Sequence, residues 1–300
     1  MNKKPVVTII VSSFERPAHL TRCLHSIAAQ EYPQDSFDVI VADDGSRDET
    51  EQCVGNFARA VDFPVRMTTH EHDGFQLSRC RNEGALLAES DYLLFTDGDC
   101  LLPENFLSVH LRGRRPGYVQ SGYCYRLEPA ETDKVLVDKI RSGATEFDVL
   151  RGEEKRAFWK HIRARGYEFL GVSMRPRISG SCIGTWRSDF VAVNGFDESF
   201  LGWGMEDIDF QLRLESIGVR SRWTKASVYH MWHEKHPTYA RNSHGTENYR
   251  YFHRTGPKPV KCLNGFEQRG RGDVRCHSFE KSPISPPGSD TPEVRIAPKT

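Results

Sequence analysis

The period of the apolar positions changes along the chain, and the changes mark out a first run of elements. Val6–Val11 is a continuous apolar, β-branched stretch broken only by Thr8, the pattern of a strand buried on both faces. After the turn SSFERP, Leu20, Cys23, Leu24, Ile27 and Ala28 recur at helical spacing behind Pro17, a residue suited to a helix start. Phe37–Ala42 predicts a second strand, and the stretch from about Asp48 to Ala60 a helix. Val65–Thr69 reads as a short strand, Ser78–Ala88 as a helix and Tyr92–Thr96 as another buried strand. Strands alternating with helices predict an α/β fold with a mostly parallel, Rossmann-like sheet.

Beyond residue 110 the pattern weakens. A helical stretch is expected near 132–164, and Gly180–Phe200 returns to short strand-and-turn signals. Glu206–Ile217 predicts an amphipathic helix closed by Gly218, and Ser221–Tyr229 a final strand before the His-rich run HMWHEKHP. Residues 255–300 hold seven prolines and two aromatics, which predicts a poorly ordered tail, above all beyond Ser282.

Composition narrows the classes. The chain has 300 residues, 38% hydrophobic and 27% charged, enough to bury a core. Its 41 basic and 41 acidic residues cancel, so no global positive field is available to hold nucleic acid or an anionic membrane, although a local basic patch is compatible with that balance. The longest apolar run is far shorter than the roughly 20 residues of a membrane span. The N-terminal stretch lacks a small-residue cleavage site, and the eight cysteines form no CxxC pair. These features predict a cytoplasmic protein with free thiols.

The candidate chemistry gathers at strand ends, where α/β sheets bind ligands. Asp97-Gly98-Asp99 follows the strand at 92–96; two carboxylates two apart can address one divalent cation, or a cation and a ribose hydroxyl, and Gly98 admits close approach. Turn chemistry alone also favours Asp and Gly. Asp43-Asp44-Gly45-Ser46 ends the second strand and offers acceptors to a nucleoside; the alternative is an N-cap for the following helix from Ser46 and Asp48, but two acids before the cap are more than capping needs. Arg79, Arg81 and Asn82 open a helix against its dipole, as a phosphate partner or a solvated face would each permit. In Gly202-Trp203-Gly204-Met205-Glu206-Asp207, a glycine-flanked tryptophan suits stacking on a sugar ring, and the acids suit its hydroxyls or proton removal. His230, His233 and His236 form a cluster able to take metal or phosphate. Walker A, GxGxxG, GxSxG and HExxH patterns are absent from the sequence.

Taken together, VTIIVSSFERPAHLTRCLHSI, DVIVADDGSRDET, the R-N-E-G segment at 81–84, YLLFTDGDCLLP, GFDESFLGWGMEDIDFQLRL and VYHMWH resemble the family 2 glycosyltransferases of the GT-A fold, in the family's order over residues 6–235. HDGFQLSRCRNEG with GWGMED is most similar to chondroitin-polymerase-like and β-1,4-galactosyltransferase-like members.

The resemblance implies a GT-A domain over 1–255, with a nucleotide-binding half at 1–110 and an acceptor half at 111–255, and a separate tail at 256–300. It implies that Ser12, Ser13, Glu15 and Asp43 contact the nucleoside, usually uridine, and that Arg81 lies against the nucleotide or its phosphates. Asp97 and Asp99 become the DxD pair, with Asp99 the more direct metal ligand, His230 completing the site for Mn2+ or Mg2+, and His233 a further candidate. Trp203, Glu206 and Asp207 face the acceptor, and Asp207 becomes the base of an inverting transfer from a nucleotide sugar to a hydroxyl of a glycan or other acceptor. SSFER stands where an aromatic-Asn pair is common, and the DxD has Gly at its centre. Two other readings use the same residues: an inactive nucleotide-sugar-binding protein, and a metal-dependent phosphohydrolase.

Overall fold

The computed structural model describes residues 4–143, 151–234, 245–254, 256 and 258–279. In chain order the elements are β1 (Val7–Ser13), α1 (Pro17–Ala28), β2 (Phe37–Asp43), α2 (Thr50–Ala60), β3 (Val65–Thr69), α3 (Leu77–Leu87), β4 (Tyr92–Asp97), β5 (Cys100–Leu101), α4 (Phe106–Gly113), β6 (Tyr118–Ser121) and β7 (Cys124–Arg126). There follow α5 (Pro129–Asp133), α6 (Val137–Arg141), α7 (Arg151–Leu170), β8 (Cys182–Trp186), α8 (Arg187–Ala192), α9 (Glu206–Ser216), β9 (Arg220–Trp223), β10 (Val228–His230), α10 (Glu247–Phe252) and β11 (Arg275–Ser278).

Eight strands form one sheet in the order β11-β3-β2-β1-β4-β8-β6-β9, and β5-β10-β7 form a small second sheet. β3, β2, β1 and β4 are parallel, whereas β8 and β11 run against their neighbours. The continuous apolar runs are explained by the two faces they serve. Ile9 and Val11 of β1, Val39 and Val41 of β2 and Leu94 of β4 join one core with Leu24 and Ile27 of α1 and Val54 and Phe57 of α2. Ile10, Ile40, Leu93 and Phe95 point the other way, into a second core with α3, Phe190 of α8, and Phe210 and Leu214 of α9. Each such side chain contributes about 1.5–3 kcal/mol by leaving water. Gly84 lets α3 press onto β1: a Cβ there would stand 2.6 Å from Ile10 Cγ2.

The chain runs outward from β1 through β2 to β3, then returns to place β4 on the other side of β1. That reversal opens a crevice beyond the carboxyl ends of β1 and β4. Ser12 pairs with Asp97 across it.

Three expectations need correction. The helical stretch at 132–164 is divided into α5, α6 and the 20-residue α7, with 144–150 outside the described residues. The single strand at 221–229 is two strands in different sheets, β9 and β10. The domain does not stop at 255. Cys262, Phe266 and Val274 are buried, and β11 pairs antiparallel with β3 at the sheet edge. Arg269 ties this segment to Glu198 at 2.6 Å. A few apolar anchors and an available sheet edge are enough to order a proline-containing segment. The remainder of the expected tail, 280–300, lies outside the described residues.

Candidate active site

The pocket in the crevice is lined by residues from distant parts of the chain, including Ser12, Ser13, Asp97, Asp99, Trp203 and His230. It has a volume of about 290 Å³. Backbone pairing builds its floor. Gly98 N–H donates to the Ser12 carbonyl at 2.7 Å, and a Cβ on Gly98 would lie 3.0 Å from that same oxygen, so a side chain there would push the turn after β4 slightly away from β1. Ser12 Oγ is buried and has no hydrogen-bond partner among the described residues.

Asp99 leads directly into β5, and β5 pairs antiparallel with β10 in a register that sets His230 opposite Cys100. Met231 N–H donates to the Asp99 carbonyl at 2.9 Å, which fixes the same approach. His230 Nε2 therefore stands 3.5 Å from Asp99 Oδ1, and His233 Nε2 stands 3.0 Å from Asp99 Oδ2. One ligand atom from each of Asp99, His230 and His233 lies within 4.8 Å of the others. Burial works against the charge on Asp99, but the two imidazoles and Arg16 more than offset it and hold the carboxyl below its ordinary range. His230 shows the reciprocal effect: burial lowers its affinity for a proton, Asp99 raises it, and the net direction is upward. The third histidine of the run, His236, lies outside the described residues.

The opposite wall comes from the loop before α9. Gly202 and Gly204 adopt φ of +80° and +93°, and Met205 is also left-handed at +78°, so the glycines flanking Trp203 serve backbone shape. Gly202 N–H donates to the Phe75 carbonyl, and Asn248 Nδ2 donates to the Gly204 carbonyl, both at 2.9 Å. Trp203 lines the pocket. The Asp207 carboxylate accepts from the N–H groups of Ile208 and Gly180; burial nevertheless raises its pKa, with Arg81 and these donors pulling it down. Glu206 is raised further, to about 7, by burial and then by Asp207. Its Oε2 is buried with no partner among the described residues.

Three residues expected to meet the nucleotide sit elsewhere. Arg81 is 1% exposed, and its guanidinium donates to Asp97 Oδ1 at 3.2 Å, Glu206 Oε1 at 3.4 Å and the Gly180 carbonyl at 3.1 Å. It is a buried strut between the two walls and does not offer an open phosphate contact. Asp43 is also buried: its oxygens accept from Gly45 N–H, Ser46 N–H, Ser46 Oγ and Thr69 Oγ1, which shapes the loop after β2. These contacts are internal to the loop, and the N-cap of α2, Glu49, has no side-chain capping bond. Glu15 is exposed at φ +43°, with its N–H on Ser46 Oγ, and its neighbours Phe14 and Arg16 line the pocket in its place.

Asp44, not Asp43, reaches the pocket. Its carboxylate accepts from Gln76 N–H at 3.0 Å and pairs with His70 Nε2 at 2.9 Å, while His70 Nδ1 meets Glu83 at 2.9 Å. Burial lowers the pKa of His70, yet the two carboxylates raise it more, so the net shift is upward. Phe14, Arg16, Phe75, Arg126 and Trp232 also line the pocket. Phe14 and Arg16 carried a signal, since they share the strand-end turn with the serines. Arg126 and Phe75 carried none, because only the packing of distant segments brings them in.

Residues 8–116 match the family model Glycosyl transferase family 2, and residues 152–237 match the model N-terminal domain of galactosyltransferase. The chain is similar to Validoxylamine A glucosyltransferase of Streptomyces hygroscopicus subsp. limoneus, 27% identical over 246 residues, 77% of this chain and 53% of that protein. It is similar to Chondroitin synthase of Escherichia coli, 26% identical over 240 residues, 75% of this chain and 34% of that protein. The chain spans about half the length of the first of these relatives. Among solved structures it resembles mannosyltransferase PcManGT from Pyrobaculum calidifontis in complex with GDP-Man and Mn2+, with a TM-score of 0.56, 18% identity, and coverage of 76% of this chain and 57% of that one. It also resembles S. aureus TarS 1-349 in complex with UDP-GlcNAc, with a TM-score of 0.52, 19% identity, and coverage of 77% and 60%. The sheet order is that of the GT-A fold, and the chain is similar to glycosyl transferase family 2 over residues 8–116 and to the N-terminal domain of galactosyltransferase over residues 152–237.

Proposed function

We propose that the protein transfers a sugar from a nucleotide diphosphate sugar, in the first place a UDP-sugar, to a hydroxyl of a glycan or similar acceptor, with inversion at the anomeric carbon. The observation that carries this reading is the convergence of Asp99, His230 and His233 at the end of β4, in a pocket whose opposite wall holds Trp203 beside Glu206 and Asp207. The complexes of PcManGT with GDP-Man and Mn2+ and of TarS with UDP-GlcNAc support a nucleotide-sugar donor.

One carboxylate and two imidazoles form a mixed donor set that fits manganese, with magnesium second. Asp99, His230 and His233 would hold the cation, with Asp97 the further carboxylate in reach of the turn. When bound, such a cation supplies Lewis-acid neutralisation of the diphosphate leaving group.

The chain's own residues do the rest. Arg16 and Arg126 add positive charge around the diphosphate at the pocket wall. Ser12 Oγ, otherwise unpartnered, takes a donor hydroxyl or phosphate oxygen. Trp203 stacks on a sugar face. The raised pKa of Asp207 makes its carboxylate a stronger base, and it removes the acceptor proton as the hydroxyl attacks. Glu206 holds another acceptor hydroxyl through its free oxygen. Arg81, pinned between Asp97 and Glu206, fixes the separation of donor and acceptor walls.

The test is to incubate the protein with Mn2+, a panel of UDP-sugars and candidate glycan acceptors, and to follow both UDP and glycosylated product by mass spectrometry. Sugar transferred to an acceptor hydroxyl with the opposite anomeric configuration supports the reading. Phosphate release without glycosyl transfer would assign a phosphohydrolase, and donor binding without turnover an inactive binder.

A further inference from the structure

His70 stands directly behind the pocket, and both of its ring nitrogens face carboxylates. The parallel register of β2 on β3 pairs Asp43 with Thr69, so the next residues, Asp44 and His70, leave the two strands side by side. Gly45, at φ +79°, lets the loops that follow close on each other; a Cβ there would stand 2.6 Å from the His70 carbonyl oxygen. The imidazole is buried, with Nε2 2.9 Å from Asp44 Oδ1 and Nδ1 2.9 Å from Glu83 Oε2. An ordinary core histidine donates through one nitrogen and accepts through the other. Here acceptor oxygens face both. A neutral ring would turn a lone pair on one of them, whereas the imidazolium, with two N–H groups, donates to both.

The surrounding charges favour that form. Glu83 takes Arg79 Nε from α3 at 2.8 Å and Arg269 Nη1 from the C-terminal segment at 3.7 Å. Burial opposes the charge on Glu83, but His70 and Arg79 more than offset it and hold the carboxyl below its ordinary range. His72 turns its Nδ1 to the Asp44 carbonyl and stacks on Phe14, with ring centroids 4.3 Å apart. Asp43 spends its oxygens on Gly45, Ser46 and Thr69. Cys80 Sγ lies within 4.8 Å of Asp44 and His70, and burial keeps its thiol protonated. Burial lowers the proton affinity of His70, Asp44 and Glu83 raise it, Arg79 opposes them, and the net direction is upward from 6.5.

Of these linked acids, Asp44 reaches the pocket, while His70 and Glu83 stand behind it. One Asp44 oxygen accepts from Gln76 N–H at 3.0 Å and the other from His70, so these two donors set the plane of the carboxylate. Without the imidazolium, an acid that is 3% exposed would face its ligand with a single backbone donor to steady its charge. We infer that His70 is a positioning residue for the donor: bridging Asp44 and Glu83 with its two N–H groups, it holds the Asp44 carboxylate ionised and turned to the bound nucleotide sugar. The inference rests on the donor-site reading above. Arg269 joins Glu83 to Glu198, so the segment after 257 braces the same wall.

The charge on His70 is present below its raised pKa and lost as pH rises through it, so donor affinity should fall on the alkaline side of 6.5. UDP binding to the full chain, with GDP in a parallel series, is measured by calorimetry in excess Mg2+ from about pH 6 to about pH 9. His70→Gln keeps one donor nitrogen and imitates the neutral ring. It should bind UDP about tenfold more weakly at the acid end, and the gap should close at the alkaline end. The histidines beside Asp99 titrate in both proteins and cancel in that ratio. Glu83→Gln removes a source of the charge on His70 without touching the pocket, so its affinity should fall at lower pH than that of the wild type. Equal thermal midpoints would show that the variants are folded; if His70→Gln does not fold, the Glu83→Gln profile decides. A deficit in His70→Gln that stays constant with pH would make His70 a structural core residue and overturn the inference, as would an unmoved profile in Glu83→Gln. The expected profiles without sugar transfer would overturn the transferase reading and leave the role of His70 standing. A wild type that binds neither nucleotide would overturn both.

Discussion

Arg81 Nη1 stands 3.4 Å from Glu206 Oε1, joining two residues that are 125 positions apart. The contact sets the start of α9 against the end of β4, because the same guanidinium also holds Asp97. Arg81→Met leaves Asp97 and Glu206 facing each other without a cation. Turnover is expected to fall by about 100-fold, the scale of a misplaced reacting group. A variant with normal kcat and an intact fold would show that the strut does not set the geometry.

Glu206 gives a pH signature. Its carboxyl rises from an ordinary 4.5 to about 7 on folding. Between those values the folded chain binds this proton more tightly than the unfolded chain does. Its contribution to stability therefore declines as pH rises from about 4.5 to 7. Glu206→Gln removes that loss, so the thermal midpoint of the variant should gain on the wild type across this window. A constant difference from pH 4.5 to 7.5 would mean that Glu206 does not titrate there.

Asp207→Asn keeps size and shape but removes basicity. It should retain donor and metal binding while kcat falls by at least about 100-fold, the low end for a general base. Donor affinity and kcat measured on the same preparation decide the matter; a near-normal kcat would leave Asp207 as a helix-start acid or a sugar ligand.

Metal dependence should trace to Asp99. With Mn2+, UDP at about 100-fold its dissociation constant should stabilise the protein by about 2.7 kcal/mol. Asp99→Ala should abolish the manganese-dependent part of that shift, and His233→Ala should reduce it. Full glycosyl transfer in excess EDTA would remove the cation from the mechanism.

The segment after 257 should be structural. Phe266→Ala removes a buried ring from the second core and should cost about 3 kcal/mol, measured by urea unfolding. Truncation after 257 also removes β11 and the Arg269–Glu198 pair and should leave a poorly folded chain. An unchanged midpoint in the Phe266 variant would return the domain boundary to 255.

The sequence by itself determined the elements from Val7 to Asp97. Buried parallel strands and their helices are written in local periodicity, because each strand must be apolar on both faces and each helix along one stripe. It also located the acids at 97, 99, 206 and 207 and the histidines at 230 and 233, since strand ends and helix starts carry short-range signals. Tertiary structure decided which of these groups meet. His230 reaches Asp99 only through the register of β10 on β5, two short strands whose pairing no periodicity announces. Arg81 and Asp43 are as polar in sequence as any ligand contact, yet they are buried and held by partners within the fold. A side chain's charge is local information, while the partner that neutralises it belongs to the folded chain. The same reason hid the segment at 258–279, where few apolar residues give a local signal but Phe266 and the free edge of β3 supply order through tertiary contacts.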